Sequence, residues 1–517
     1  MGKKEKPITI GKPADNILPE LLLALLVAGG VSLAAFSNLL FMEEGLYNVT
    51  ADGMGHLTKV VYFAEHFRNF EFPSWCPFWY SGSTMTQYYA PLGYWMMAIA
   101  QIFTGDVMLT MKIYCFVSLF FGSLGVWAIC KKYIGNWCGL FGIVVYGLQP
   151  YLSLTLLGGG ALAQGAIYLF SPWLFLVVLG FFIKHSKGGF IAISLLTALL
   201  ILGHAMHAFM VCLSIAIVAL PYVLTKKTTW ISFVLTGMAM GLGALLCSFW
   251  WMVGVTEFET PGIPYLLEEA RVIYSSRLEW FLSTGIKTGI RFGFSAIICV
   301  VLGLILYKCT MGKKWTGNST QFVISFSIYL TLFTIFFSFG QNLKILQYFP
   351  FIEILVPGRV LSLTAASSGV VAAYLIFLIK RKGFLGKFFL KTGSIMLVIF
   401  MVGLVMWDMN PFRVNYGTQS YLNYYSQTLP VEAKNISPYD KGRYTWVAPI
   451  NCAEAYFPVV EYNFNTSDGW NIEGTPHNRV LWSHNIALAT NNEEYAVKNL
   501  LYWNVRWVYI TRENGFC

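Results

Sequence analysis

Charge is what this sequence has least of. Only 12% of its 517 residues are Asp, Glu, Lys or Arg, against about 25% in an ordinary soluble domain. With 56% apolar residues and a mean hydropathy of +0.59, that shortage excludes a water-soluble globule. Cysteine is sparse too: there are 10, none at C-x-x-C spacing, which excludes zinc-ribbon and thioredoxin-type sites. No internal repeat or low-complexity tract occurs, so a solenoid is excluded. The net charge of +10 does not mark a nucleic-acid partner. From Arg413 onward 8 Lys/Arg stand against 9 Asp/Glu, so the excess lies in short clusters between apolar blocks. Membrane proteins distribute positive charge in this way, whereas a groove for nucleic-acid phosphates concentrates it.

What the sequence does have is long apolar runs. Eleven crossings are predicted near 17–41, 107–130, 135–152, 164–183, 189–205, 207–225, 229–254, 292–308, 320–340, 360–379 and 388–408. The first follows a basic stretch, is long for a signal peptide and shows no clear cleavage site, so it reads as a retained helix. With eleven crossings, six basic clusters share one side: Lys3/Lys4/Lys6, Lys131/Lys132, Lys184/Lys187, Lys226/Lys227, Lys313/Lys314 and Lys380/Arg381/Lys382. The positive-inside rule makes that side cytoplasmic, with the N-terminus inside and the C-terminal tail outside. PLGYWMMAIAQIFTG, 91–105, is too short to span about 30 Å of hydrocarbon. A crossing there would also reverse every later cluster, so it reads as a helix at the outer surface.

The predicted organisation is an all-α polytopic membrane domain, 1–409, with a first outer loop at 42–106, and a small extracytoplasmic α+β domain, 410–517. RYTWVAPI and NVRWVYI read as strands and NNEEYAVKNLLYW as a helix. Cys452 and Cys517 both fall in that tail and could pair in an oxidising compartment. Asn48, Asn435 and Asn465 head glycosylation sequons on the predicted outer side.

Polar residues gather at this outer side. His56, His66, His204, His207, His477 and His484 are predicted there, and only His185 is cytoplasmic. Asp52 and His56, in DGMGH, share a face if the segment is helical. They suit a general base or metal ligands at the membrane surface; alternatively Asp52 only caps a helix beginning near Met54. His204 and His207, in GHAMH, are spaced to share a helical face at the end of the fifth crossing. Either they face a phosphate or metal, or they satisfy backbone in a tight helix hairpin. Arg359, in VPGRVLS, suits a lipid-linked phosphate through its planar fork of donors, or snorkels to ordinary headgroups. Glu268, Glu269 and Arg271 lie in an outer segment that reads equally as a solvated helix face. The rings of WCPFWYSG and QYYAPLGYW, including Trp79, Tyr80 and Tyr89, are interfacial anchors or line a sugar or lipid site.

The order of these motifs is similar to that of a known family. One crossing, D-G-x-x-H, an amphipathic helix, WCPFWYSG, YYAPLGYW, His204 ending the fifth crossing, P-G-R before a late crossing and a terminal NVRWVYI resemble the 6-pyruvoyl-tetrahydropterin-synthase-related membrane proteins and their YfhO-like relatives. These belong with the GT-C glycosyltransferases, and the pterin in the name implies no pterin chemistry here. The resemblance implies a GT-C-like fold and an inverting transferase. Its donor would be a sugar on polyprenyl phosphate or pyrophosphate, with Asp52 as base or metal ligand, His56 beside it, and Arg359, His204 and His207 on the donor phosphate. Trp79, Tyr80, Tyr89, Glu269 and Arg271 become substrate-side candidates. The implied partners are a lipid-linked sugar donor, membrane lipids and a glycan or protein acceptor that the sequence does not identify; nucleic acid is excluded. No cofactor is implied with certainty. A divalent metal stays open, because the first outer loop has no D-x-D, and the chain lacks the WWDYG of oligosaccharyltransferase catalytic subunits. A non-catalytic partner subunit is the rival reading. A transporter fits less well, since its charges would sit at mid-membrane.

Overall fold

The computed structural model describes residues 17–37, 53–73, 75–76, 89–153, 155–156, 160–225, 227–248, 297–298, 301–305, 318–348, 356–380, 403, 443–447, 465–466, 492–502 and 504–510. The helices are α1 (Ile17–Ala35), α2 (Gly53–Arg68), α3 (Leu92–Thr104), α4 (Val107–Tyr133), α5 (Asn136–Gly147), α6 (Gly165–Ile183), α7 (Lys187–Leu224), α8 (Trp230–Leu246), α9 (Asn318–Ser338), α10 (Leu361–Lys380) and α11 (Glu493–Tyr502). Among the described residues six helices are long and apolar enough to cross a membrane. The predicted crossing at 388–408, Gly403 apart, and most of that at 292–308 lie outside the described residues. So do Cys452, Cys517, Asn48 and Asn435.

The break between α3 and α4 is written locally. Gly105 ends α3 at φ 67, a left-handed conformation that glycine adopts without a Cβ penalty. Asp106 then starts α4, its carboxylate accepting from Met108 N at 2.7 Å and Leu109 N at 3.1 Å. Such a cap contributes about 1 kcal/mol. At 13 residues, α3 is only about 20 Å long, as its reading as a surface helix requires.

Helix α7 has 38 residues and would reach about 57 Å if straight. It folds back instead. His204 breaks it with extended backbone, φ −167 and ψ 101. Thr228, just past its end, donates to the Phe182 carbonyl just before its start, at 3.2 Å. Ser232 and His185 Nδ1 stand 3.0 Å apart. Both ends of α7 therefore meet, and His204 is the apex of a hairpin with arms at Lys187–Gly203 and 205–224.

Cross-links at the end opposite the apex collect the basic clusters. Lys131, in the last turn of α4, pairs with Glu20 in the first turn of α1 at 3.1 Å. Thr320 at the start of α9 donates to the Tyr133 carbonyl at 2.6 Å. A Cβ on Gly180 would lie 3.2 Å from Lys132 Nζ, so α6 ends there as well. Lys131, Lys132, Lys184, Lys187 and Lys227 thus share one end of the bundle.

Nearly every residue of the helix from Pro357 to Leu378 is buried, and it forms the axis of the bundle. It joins α9 through Thr331–Ser367 and Thr364–Thr334 hydroxyl pairs, each at 2.7 Å, the kind of polar link that holds helices where lipid supplies no hydrophobic drive. Close packing elsewhere depends on glycine. A Cβ on Gly122 of α4 would stand 2.3 Å from the Tyr168 carbonyl and 2.7 Å from the Tyr146 hydroxyl, which itself donates to that carbonyl at 2.7 Å. Gly122→Val should cost about 1–3 kcal/mol by overpacking. A lower unfolding midpoint of the full chain in detergent would show it, and an unchanged midpoint would mean that α4 and α6 stand further apart.

In the C-terminal tail, β1 (Arg443–Val447), β2 (Asn465–Thr466) and β3 (Val505–Ile510) form a parallel sheet in the order β2-β1-β3. Tyr444 pairs with Trp507 and Val447 with Ile510, with a register shift beside Arg443. Parallel neighbours need a crossover, and α11 leads directly into β3 through Asn504, whose φ of 55 asparagine tolerates better than most residues. Both predicted strands and the predicted helix are present.

Candidate functional site

The site is built at the end of the bundle away from the lysines. Thr110, in the first turn of α4, donates to Gln101 of α3 at 2.9 Å. It is 21 residues, or about 30 Å of helix, from Lys131. Helix α2 packs on α3 and carries His56 and Lys59 one turn apart, hence on one face. Both are buried, with exposures of 0% and 2%, and lysine is almost never fully buried without a partner. The Lys59 ammonium lies over the Tyr89 ring at 4.6 Å and the Tyr94 ring at 5.3 Å, where the ring faces attract it. Tyr94, in the first turn of α3, places its hydroxyl 2.6 Å from His56 Nδ1.

Tyr89 connects this plate to the hairpin. Its ring centroid is 5.7 Å from that of His56 and 6.1 Å from that of His204. Across the apex, Arg359 Nη1 stands 3.3 Å from His204 Nε2 and 3.5 Å from Met206 Sδ. Arg359 reaches there because the turn Pro357–Val360 enters α10 at this end. The spacing of His204 and His207 predicts a shared helical face. They do meet, with ring centroids 4.4 Å apart, but through the helix break, since His204 is the non-helical residue. His207 is buried, and neither of its ring nitrogens has a partner among the described residues.

The chain thus brings His56, Lys59, Tyr89, Tyr94, His204, His207 and Arg359 together from segments up to 303 residues apart in sequence. Lys59 and Tyr94 are the members that sequence reasoning missed. The available signal was the three-residue step from His56 to Lys59 on an otherwise apolar helix face. Asp52, which immediately precedes α2, lies outside the described residues, as do Trp79, Tyr80, Glu269 and Arg271. Among the described residues no group of three or more His, Cys, Asp or Glu is placed to hold a metal ion.

Burial, then the Lys59 charge, then His204 hold the His56 pKa well below its ordinary value, so this imidazole is neutral when folded. An unfolded histidine takes up a proton below about pH 6.5. The unfolded state therefore binds more protons than the folded one as pH falls, and stability drops. It should be fully present above about pH 6.5 and decline below it by up to about 1.4 kcal/mol per pH unit for this group. Unfolding midpoints measured from pH 7.5 to 5 should fall, and His56→Gln should flatten that slope.

The fold of this apolar helical bundle is GT-C-like, as solved structures that superpose on it show. The oligosaccharyltransferase of Archaeoglobus fulgidus in the apo form superposes with a TM-score of 0.57 at 11% identity, over 95% of this chain and 69% of that one. AglB from the same organism, in complex with an inhibitory peptide and a dolichol-phosphate, gives 0.53 at 11% identity over 94% and 69%. ArnT from Cupriavidus metallidurans bound to undecaprenyl phosphate gives 0.54 at 12% identity over 87% and 86%. The chain belongs to the 6-pyruvoyl-tetrahydropterin synthase related family of membrane proteins, whose model matches residues 86–413. A second model, for a domain of unknown function, matches residues 430–514. No curated protein matches the chain.

Proposed function

We propose that the chain is an integral membrane glycosyltransferase that moves a sugar from a polyprenyl-phosphate or polyprenyl-pyrophosphate donor to an acceptor on the extracytoplasmic face. The observation that carries this reading is the run of contacts from Lys59 to Tyr89, from Tyr89 to His204 and from His204 to Arg359 at one end of the bundle, with Asp52 immediately before α2 in sequence. An inverting transfer needs a carboxylate to take the acceptor's hydroxyl proton and cationic donors to stabilise the departing phosphate. Asp52 takes the first role. Arg359 takes the second, with His204 and His207 beside it. Neutral His56 is held by Tyr94 at the start of α2. Tyr89 lines the substrate side, together with Trp79, Tyr80, Glu269 and Arg271. The polyprenyl phosphates bound by AglB and ArnT support the lipid class of the donor. The positive-inside rule supports a cytoplasmic N-terminus, a multi-pass cell-membrane location and an extracytoplasmic tail.

The test is consumption of donor. The full chain in lipid nanodiscs is incubated with the total lipid-linked sugars and envelope extract of its source cells. One polyprenyl-linked sugar should be depleted as polyprenyl phosphate or pyrophosphate accumulates. Depletion of none would overturn the catalytic reading and favour a lipid-binding scaffold.

A further inference from the structure

The opposite end of the bundle carries a second feature, independent of the transferase reading. Where α6 turns into the first arm of α7, a cavity of about 520 Å³ opens against α8, within the size range of small-molecule sites. Its walls are Phe181, Phe190, Ile191 and Leu235, and its rim is His185, Ser186 and Lys187. The rim is organised. The Ser186 hydroxyl accepts from Gly189 N at 3.0 Å, His185 is held against Ser232, and Lys187 is exposed. Lys184 and Lys227 are exposed at the same end, and the nearby carboxylate, Glu20, is already paired with Lys131.

Depth sorts these groups. Trp230, at the start of α8, is 54% exposed, as an aromatic residue at a membrane–water boundary is. His185, Ser186 and Lys187 stand at that level through the Ser232 contact. Phe190 and Ile191 lie about one turn further along the arm, and Leu235 about one turn beyond Ser232, both toward the hydrocarbon. A cationic rim above an apolar groove matches a ligand with an anionic head and an apolar tail. Basic pockets between helices at this level suit anionic lipid head groups.

We propose that this groove is a binding site for one anionic phospholipid of the leaflet on the basic side. Its phosphate accepts hydrogen bonds from Lys187, His185 and the Ser186 hydroxyl, and one acyl chain lies along Phe181, Phe190, Ile191 and Leu235. The test uses the full chain in detergent, titrated with phosphatidylglycerol or phosphatidylcholine of equal chain length and read by native mass spectrometry. Wild type should retain one phosphatidylglycerol in preference to phosphatidylcholine. Lys187→Gln should weaken that preference about fivefold, the effect of one surface lysine on an anionic lipid. Ile191→Trp, which fills the groove, should lower retention of both lipids, while glycerol phosphate without acyl chains should not compete. Equal retention of the two lipids by wild type, an unchanged preference in Lys187→Gln, or competition by glycerol phosphate would each overturn the proposal. Both substitutions are at exposed positions, and an unchanged unfolding midpoint confirms that each variant is folded.

Discussion

Asp52→Asn should stop the proposed sugar transfer and leave the donor bound. The rate should fall by about 10²–10⁴, the usual contribution of a positioned general base, while the affinity for polyprenyl-linked sugar stays at the wild-type value. The substitution separates the two roles open to Asp52. Asparagine caps a helix about as well as aspartate, so if Asp52 only starts α2, the variant keeps its stability and its activity alike. If Asp52 takes the acceptor proton, stability is kept and transfer is lost. Donor turnover followed beside the unfolding midpoint distinguishes the outcomes, and a stable Asp52→Asn chain with full turnover would refute the assignment. Asp52→Ala is the poorer experiment, because it removes cap and base together.

Arg359→Gln should slow transfer by about 10²–10³, the cost of deleting one donor aimed at developing negative charge. It should also weaken binding of polyprenyl phosphate itself, because in the proposed role the guanidinium would meet the phosphate before and after reaction. Arg359→Lys should recover only part of the loss, since lysine restores the charge without the planar fork. The competing account is that Arg359 snorkels to passing headgroups. It predicts that Gln and Lys variants bind and turn over donor like wild type. Titration with labelled undecaprenyl phosphate, alongside turnover, decides between them. The contact with His204 makes the first account the stronger one, because it fixes the guanidinium at the hairpin apex instead of leaving it to the bilayer.

Much of this site was legible from one dimension. The apolar runs and the sidedness of the lysines carried the helices to within a few residues, as 107–130 against Val107–Tyr133 shows. The same reasoning demanded that 91–105 lie at the surface and that His204 end one crossing before another began. It also put His204 and Arg359 on one side, where they touch. What it could not show was which polar residues leave water. Lys59, on a helix read as amphipathic and outer, reads as solvated. Its burial depends on two tyrosines 30 and 35 residues later that close over it, and local pattern does not contain such a contact. Tyr94 was hidden for the same reason, as one ring in an aromatic stretch whose other members serve equally well as anchors. The pairing of His204 with His207 was anticipated on helical spacing and realised through a helix break, so the right neighbours met by a different geometry.

The single extended residue that joins the two arms of α7 has a mechanical consequence. A turn made from one residue stores no slack. The apex cannot swing without dragging both packed arms, and Arg359 is anchored in the axial helix beside it. This half of the site is therefore a fixed jaw. The facing half, α2 and α3 with the residues that lead into α3, is short and amphipathic, and it presents Lys59, Tyr89 and Tyr94. On the proposed function, a lipid-linked donor would then be admitted by movement of that plate and not of the hairpin. Cross-linking α3 to the hairpin should then trap or exclude the lipid, whereas clamping the two arms of α7 to each other should leave its exchange unaffected.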